Sequence, residues 1–323
     1  MLFDIWRRPA TGNSSSTAGR WPLDFGDAPK RTNRAKPARA TAGRLAKEEE
    51  GENVTIRHVL WYPFLAIFLA GCAQPLPQYR VHHSFIESPQ TRAPRKVLVL
   101  PVDVVIKEVT AGGVAEEVPD WSRKGSANVL AALTKQLRSG GTNRAKLQLL
   151  DTPKLPEADT KAIQQHLALY RRVAATVFSV TYGERAWPQK IYRFDYTLGN
   201  GLKSVAGRTG ADSAILLMGE DSVSTAGRKL AALFLDSVSY GHSYLTAAIV
   251  NLNTGDILWF NYAYQYKSAD LREPDDAAKL VAQLFEEYPG VEQYKAGSER
   301  YKDLIERYKA DGEESRDPGV ARK

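Results

Sequence analysis

Hydrophobic positions along this chain fall into three patterns, and each predicts a different kind of element. Continuous apolar runs come first: residues 59–70 (VLWYPFLAIFLA), 96–105 (KVLVLPVDVV) and 211–219 (ADSAILLMG). The last two are rich in β-branched residues and leucine and read as strands buried on both faces. Pro101 cannot donate to a ladder, so it marks a bulge, an end or an edge. Residues 146–150 read as a second short strand. Helical spacing appears at 126–137 (Val129, Leu130, Leu133, Leu137), at 159–178 (Ile163, Leu167, Val173, Val177) and at 275–288 (Ala278, Leu280, Leu284, Phe285). Asp275 and Asp276 favour the positive end of that last helix. Residues 202–209 form a short helix stopped by Gly210, and 107–120 a loop or short hairpin around Gly112-Gly113. Residues 243–251 and 257–266 flank Asn253-Thr254-Gly255-Asp256, residue types that tolerate turn conformations, so they read as a β-hairpin. Residues 182–196 are irregular, with Tyr192, Phe194 and Tyr196 at alternating positions of a strand or extended segment. Residues 292–309 are helical but strongly charged, a solvent-facing helix.

Strands alternating with helices predict an α/β fold: a mixed sheet with helices packed on it, in one main domain. The divisions read as follows. Residues 1–53 are disordered, an upstream extension if translation starts close to Val54. Residues 54–71 read as a cleavable signal peptide, whose class the residues at its end decide below, and 72–94 as a flexible tether with four prolines. Residues 95–290 are the α/β domain, and 291–323 the charged helix with a disordered tail. His82-His83 sit in that tether with only Glu87 nearby, which reads as solvent-exposed rather than metal-binding.

Charge and cysteine usage narrow the classes further. The +7 net charge is misleading, because residues 1–71 hold eleven Lys or Arg against seven Asp or Glu. The 252 residues that follow carry +3, a balance that calls for no nucleic acid partner. There is one cysteine, Cys72, so disulfides and thiolate metal sites are excluded once it is modified.

That cysteine follows Leu69, Ala70 and Gly71 at the end of the uncharged run, and Arg57 precedes the run. A positive flank, a short hydrophobic segment and small residues make a secretory signal. A spanning helix needs about 20 apolar residues, whereas this run has twelve and contains Pro63. The tetrad Leu69-Ala70-Gly71-Cys72 resembles the lipobox of bacterial lipoproteins. The resemblance implies a diacylglycerol on the Cys72 sulfur, cleavage before Cys72 and acylation of its amino group. It also implies attachment to a lipid bilayer through acylated Cys72. Ala73, rather than aspartate, stands after the cysteine, which under the diderm sorting pattern implies the periplasmic face of the outer membrane.

A second resemblance rests on GADSAILLMG at 210–219 and VNLNTGDILWF at 250–260. These are similar to segments of envelope lipoproteins of the CsgG and TolB amino-terminal-domain type, where a Thr-Gly-containing turn precedes a strand with tryptophan, here Trp259. The resemblance implies an α/β sandwich and a role in envelope assembly or export, with an envelope protein as partner. No pair of long amphipathic strands able to line a barrel is present, so channel formation is not implied.

Two groups of residues are candidate sites. Asp221, Ser222, Ser224 and Arg228 cluster with Glu220, Thr225 and Gly227 at the carboxyl end of a buried strand, where α/β folds place binding groups. His242, near Asp236, is a conceivable base for Ser222 or Ser224, which makes a serine hydrolase the enzymatic alternative. The plainer reading is a polar turn with Ser224 or Thr225 capping the next helix. Phe260, Tyr262, Tyr264 and Tyr266 share one strand face, which is an interaction surface if exposed and core if a helix covers it. His166 reads as a boundary residue of a helix. Walker, nucleophile-elbow and zinc-helix patterns are absent, and no cofactor is expected. The functional expectation is a non-enzymatic assembly, export or envelope-biogenesis accessory factor, with an activator of a peptidoglycan synthase as the alternative.

Overall fold

The computed structural model describes residues 76–138, 147–150, 153–183, 186–234 and 241–314. The expected signal peptide at 54–71, the lipobox-like tetrad through Cys72, the expected disordered segments at 1–53 and from residue 315, and Asp236 lie outside the described residues.

A mixed eight-stranded sheet forms the centre. Its longest strand, β6 (Ser213–Ser224), is buried along all twelve residues, as the apolar run predicts. On one side β6 pairs antiparallel with β7 (Ser243–Asn251), which pairs with β8 (Ile257–Gln265), which pairs in turn with the two-residue β1 (Arg80–Val81). On its other side β6 carries two strands end to end. They are β2 (Lys96–Val99) beside Ser213, Ala214 and Ile215, and β3 (Asp103–Val109) beside residues 218–224, both parallel. The single strand expected over 96–105 is therefore two strands, broken around Pro101, which has no N–H to give the ladder. Outside them lie β4 (Ala115–Glu117), antiparallel to β3, and β5 (Gln148–Leu150), parallel to β2. The β3–β4 hairpin turns at Gly113, whose φ of 83° is a conformation glycine adopts at no steric cost.

Helices cover both faces. The helix α3 (Pro119–Arg138) starts seven residues earlier than its apolar spacing predicts, because Pro119 and Asp120 supply a good first turn. It lies against β3, where Ser122 Oγ accepts the Ile106 N–H at 2.9 Å and Ser126 Oγ accepts the Val104 N–H at 3.1 Å. Two serines one helical turn apart thus satisfy a stretch of strand edge that β4 does not reach. With α8 (Pro274–Leu284), α3 covers one face. On the other face α4 (Glu157–Val177) runs into a π-helical turn, Phe178–Tyr182. Tyr170 of α4 is fully buried and donates to Thr246 Oγ1 of β7 at 3.2 Å. The irregular segment after the π turn holds a short helix, α5 (Pro188–Tyr192), and Phe194 and Thr197 make isolated bridges to His82 and Asp256. The short helix α6 (Lys203–Thr209) ends at Gly210, as expected.

The expected tether, 72–94, is corrected from residue 76 onward. Tyr79, Val81 and Phe85 are core, and α1 (His83–Glu87) and α2 (Pro89–Arg92) follow β1 directly. The Arg80 guanidinium donates to the carbonyls of Pro77, Gln78 and Tyr79 and lies 4.4 Å from the centre of the Tyr182 ring. The Tyr79 hydroxyl donates to the Gly290 carbonyl at 2.6 Å, and Tyr182 donates to the Gln78 carbonyl at 2.6 Å. His82 is likewise buried rather than exposed: its Nδ1 accepts the Ser84 N–H at 3.2 Å and caps α1. The boundary at 290 is corrected too. The last described helix, α9 (Val291–Glu314), is not solvent-facing throughout, since Val291, Tyr294 and Ser298 are buried against the body.

Candidate functional site

Alternation along β6 divides the polar candidates between two faces of the sheet. Asp221 points to the α8 side. Its Oδ1 accepts hydrogen bonds from Ser243 Oγ at 2.6 Å and Ser268 Oγ at 2.8 Å, and its Oδ2 from the Leu271 N–H at 2.8 Å. Burial pushes its carboxyl above the usual carboxylate range, and those three donors pull it back. Asp221 is thus the internal fastener of the 268–271 loop.

Glu220, Ser222 and Ser224 point the other way. Glu220 Oε2 meets Lys107 Nζ of β3 at 2.7 Å, and its Oε1 lies 3.8 Å from His242 Nε2. The His242 ring stacks with Tyr244 at 6.3 Å and with Tyr264 at 6.1 Å. Burial holds this histidine below its ordinary pKa, and the Glu220 carboxylate opposes that. Ser222 lies directly across from His242, its N–H donating to the His242 carbonyl at 2.8 Å. The imidazole nevertheless forms no hydrogen bond with either serine hydroxyl; its polar neighbour is Glu220. Ser224 Oγ is buried with no hydrogen-bond partner. Asp221, on the opposite face, is fully engaged and cannot orient the His242 ring. The constellation of serine, histidine and Asp221 that the sequence suggests is therefore brought close in register but not assembled.

The helix α7 (Ala226–Phe234) begins just beyond β6, and Thr225 Oγ1 accepts the Arg228 N–H at 3.3 Å, the capping arrangement of the plainer reading. Arg228 itself leans back over the β3–β4 hairpin, its guanidinium 3.4 Å from the Thr110 carbonyl. His166 is half-buried, Nδ1 2.8 Å from the Ala162 carbonyl, a boundary position as expected.

The aromatic face of β8 is core at one end and surface at the other. Phe260 is fully buried, and the π turn covers it and Tyr262: Phe178 lies 4.9 Å from Tyr262 and 6.1 Å from Phe260, and Tyr182 5.0 Å from Tyr262. Tyr264 is half-buried, and Tyr266, 4.9 Å from it, is 71% exposed. Of the four expected contact residues, Phe260 is corrected to core. Tyr264 and Tyr266 emerge beside His242, Glu220 and Lys107, which gives one polar-aromatic patch. Lys107 is the member that sequence reasoning missed, because only the parallel pairing of β3 with β6 brings it there.

A groove of about 1060 Å³ lies elsewhere, between the amino-terminal segment and the turn after α8, lined by Pro77, Tyr79, Phe85, Glu287 and Tyr288 among others. Among the described residues no three His, Cys, Asp or Glu side chains gather as metal ligands, and no helix is long and apolar enough to cross a membrane.

Fold and patch together define a mixed α/β domain with a polar-aromatic surface at the carboxyl ends of its parallel strands. No protein-family model and no curated protein matches the chain. Solved structures similar to it include the PelC dodecamer of Paraburkholderia phytofirmans, 13% identical, covering 59% of this chain and 86% of that one, with a TM-score of 0.25. Lipoprotein GNA1162 of Neisseria meningitidis is 15% identical, with coverage of 60% and 96% and a TM-score of 0.26. The LpoB carboxyl-terminal domain of Salmonella enterica is 15% identical, with coverage of 57% and 95% and a TM-score of 0.19. Likeness at this level carries no conclusion about activity.

Proposed function

We propose that this chain is a lipid-anchored protein on the periplasmic face of the outer membrane, and that its α/β body acts by binding an envelope protein, as an accessory factor in assembly or export. The anchoring half is supported by the uncharged run at 59–70 ending in Leu69-Ala70-Gly71-Cys72. Acyl chains contribute about 0.8 kcal/mol per buried CH₂, and two or more make attachment durable.

The observation that carries the binding half is the division of the catalytic candidates over two faces of β6. Asp221 is consumed by the 268–271 loop, and His242 faces Glu220 rather than a serine. What this face offers instead is Tyr264 and Tyr266 beside a Lys107–Glu220–His242 cluster, the mix of aromatic and charged groups that protein contact surfaces favour. An activator of a peptidoglycan synthase is the narrower form of the same reading. The short distance from Cys72 to the body favours a partner whose docking region lies near the membrane.

Complementation tests this reading against the hydrolase. A strain lacking the gene should recover with the Ser222→Ala/Ser224→Ala variant, and should not recover with Cys72→Ser or Tyr266→Asp. A folded double-serine variant that fails to complement would return the enzyme to first place.

A further inference from the structure

The amino-terminal segment is strapped to the body by its neighbours, and the last of those straps is on α9. Gly297 is where the chain crosses that helix: a side-chain carbon added there would stand 3.1 Å from Pro77 Cδ and 3.2 Å from Leu76 Cδ1. Three residues separate Leu76 from Cys72. Four extended residue steps span at most about 14 Å, so an acylated Cys72 stays that close to the Gly297 crossing.

The same side of α9 changes character just beyond the crossing. Its body-facing stripe starts with buried Val291, Tyr294 and Ser298 and continues through half-buried Tyr301 and Ile305. It then runs off the body, leaving Leu304 47% exposed and Tyr308 68% exposed. Leu304 lies two helical turns past Gly297 and Tyr308 three, which places both on the side that Leu76 crosses. At 1.5 Å per residue they stand about 10 and 17 Å along the axis from the crossing, within or near the reach of the lipid anchor. The Lys302–Glu306 ion pair, 3.8 Å apart, lies on the opposite side of the helix from Leu304, while Arg300 and Arg307 stand one turn to either side of Leu304 on its own face, a basic margin that suits a helix lying on anionic lipid.

We infer that the distal half of α9 is a second membrane contact, seating Leu304 and Tyr308 in the interface of the bilayer that holds Cys72. The inference rests on the anchoring reading above and adds an orientation to it. An interfacial helix buries its apolar face about 5–10 Å into the headgroup and acyl boundary, and tyrosine suits that depth because its ring is apolar and its hydroxyl wet. The β4 edge lies across the sheet from β1, so a label in the β3–β4 turn serves as a distant control.

The test uses the full chain, expressed with its signal and reconstituted in vesicles of phosphatidylethanolamine and phosphatidylglycerol. Acylation consumes the one native thiol, so Leu304→Cys offers a single site for an environment-sensitive fluorophore, and Val114→Cys in the β3–β4 turn gives the control. Brominated acyl chains should quench the label at 304 by roughly twofold or more, as expected of a helix at interfacial depth, and leave the label at 114 unchanged. Equal, absent quenching at both positions on vesicle-bound protein would overturn the α9 contact and leave the anchor standing. A label at 304 that responds to protein concentration and not to brominated lipid would assign the stripe to a second copy of the chain, which also overturns it. Protein that stays free of vesicles with an unacylated Cys72 would remove the anchoring reading, and this inference with it.

Discussion

Asp221 shows how a residue type that suggests chemistry can be committed to architecture. Its carboxylate holds the Ser243 hydroxyl of β7 together with the Ser268 hydroxyl and the Leu271 N–H of a loop up to fifty residues away in sequence. Asp221→Ala would leave those buried donors without an acceptor, and the fold should lose about 3 kcal/mol, read as a lower denaturant midpoint with an unchanged slope. His82 makes the complementary point about charge. Burial and the neighbouring His83 hold it down to about 4, although Asp256 and Asp195 pull upward. The folded state thus binds a proton less readily than the unfolded chain, whose histidine titrates near 6.5. Stability is retained above that value and lost as pH falls from 6.5 toward 4, by up to about 3 kcal/mol. His82→Asn keeps an oxygen at the cap and removes the titration, so its stability should be flatter over that window. An equally steep loss in the variant would place the acid sensitivity elsewhere. Neither role was legible in the sequence, where Asp221 looked like part of a polar site and His82 like tether. The partners of Asp221 and the burial of His82 come only with tertiary pairing.

Elements whose signals are local were the legible ones. The β7–β8 hairpin is specified within its own turn: Asn251 Oδ1 accepts the N–H groups of Asn253 and Thr254, and Gly255 sits at φ 79°. Gly255→Ala adds backbone strain there and drives a methyl group toward the Gly199 carbonyl, so it should cost about 2 kcal/mol or more. A denaturation midpoint within error of the parent would show that the turn relaxes freely. Helices α4 and α8 were visible from their spacing for the same reason. The segment before β2 was not visible, because its prolines and polar residues read as a tether, while the large apolar residues that it buries, Tyr79, Val81 and Phe85, are few and spaced apart. Those three large apolar residues were the available signal. The aromatic strand was legible as a face but not in its cover, since the π turn that buries Phe260 arrives from residues 178–182.

At the scale of the whole molecule, replacing a loose tether by a strapped segment changes what the protein can do. Under the anchoring proposed above, a body joined to Cys72 by three residues beyond Leu76 stays close to the bilayer and offers its patch at Tyr264 and Tyr266 within a restricted range of heights. Cys72→Ser should release the body from the membrane fraction; co-sedimentation reads the release, and a melting curve checks that the released variant is folded. The anchoring reading, and the membrane contact of α9 with it, depend on the chemistry at that cysteine. The most direct measurement is the mass of the amino-terminal peptide of the protein isolated from membranes. The account predicts a peptide that begins at Cys72 and carries a diacylglyceryl group on sulfur and an acyl chain on nitrogen. An unmodified Cys72 still joined to Gly71 and Ala70 would contradict it.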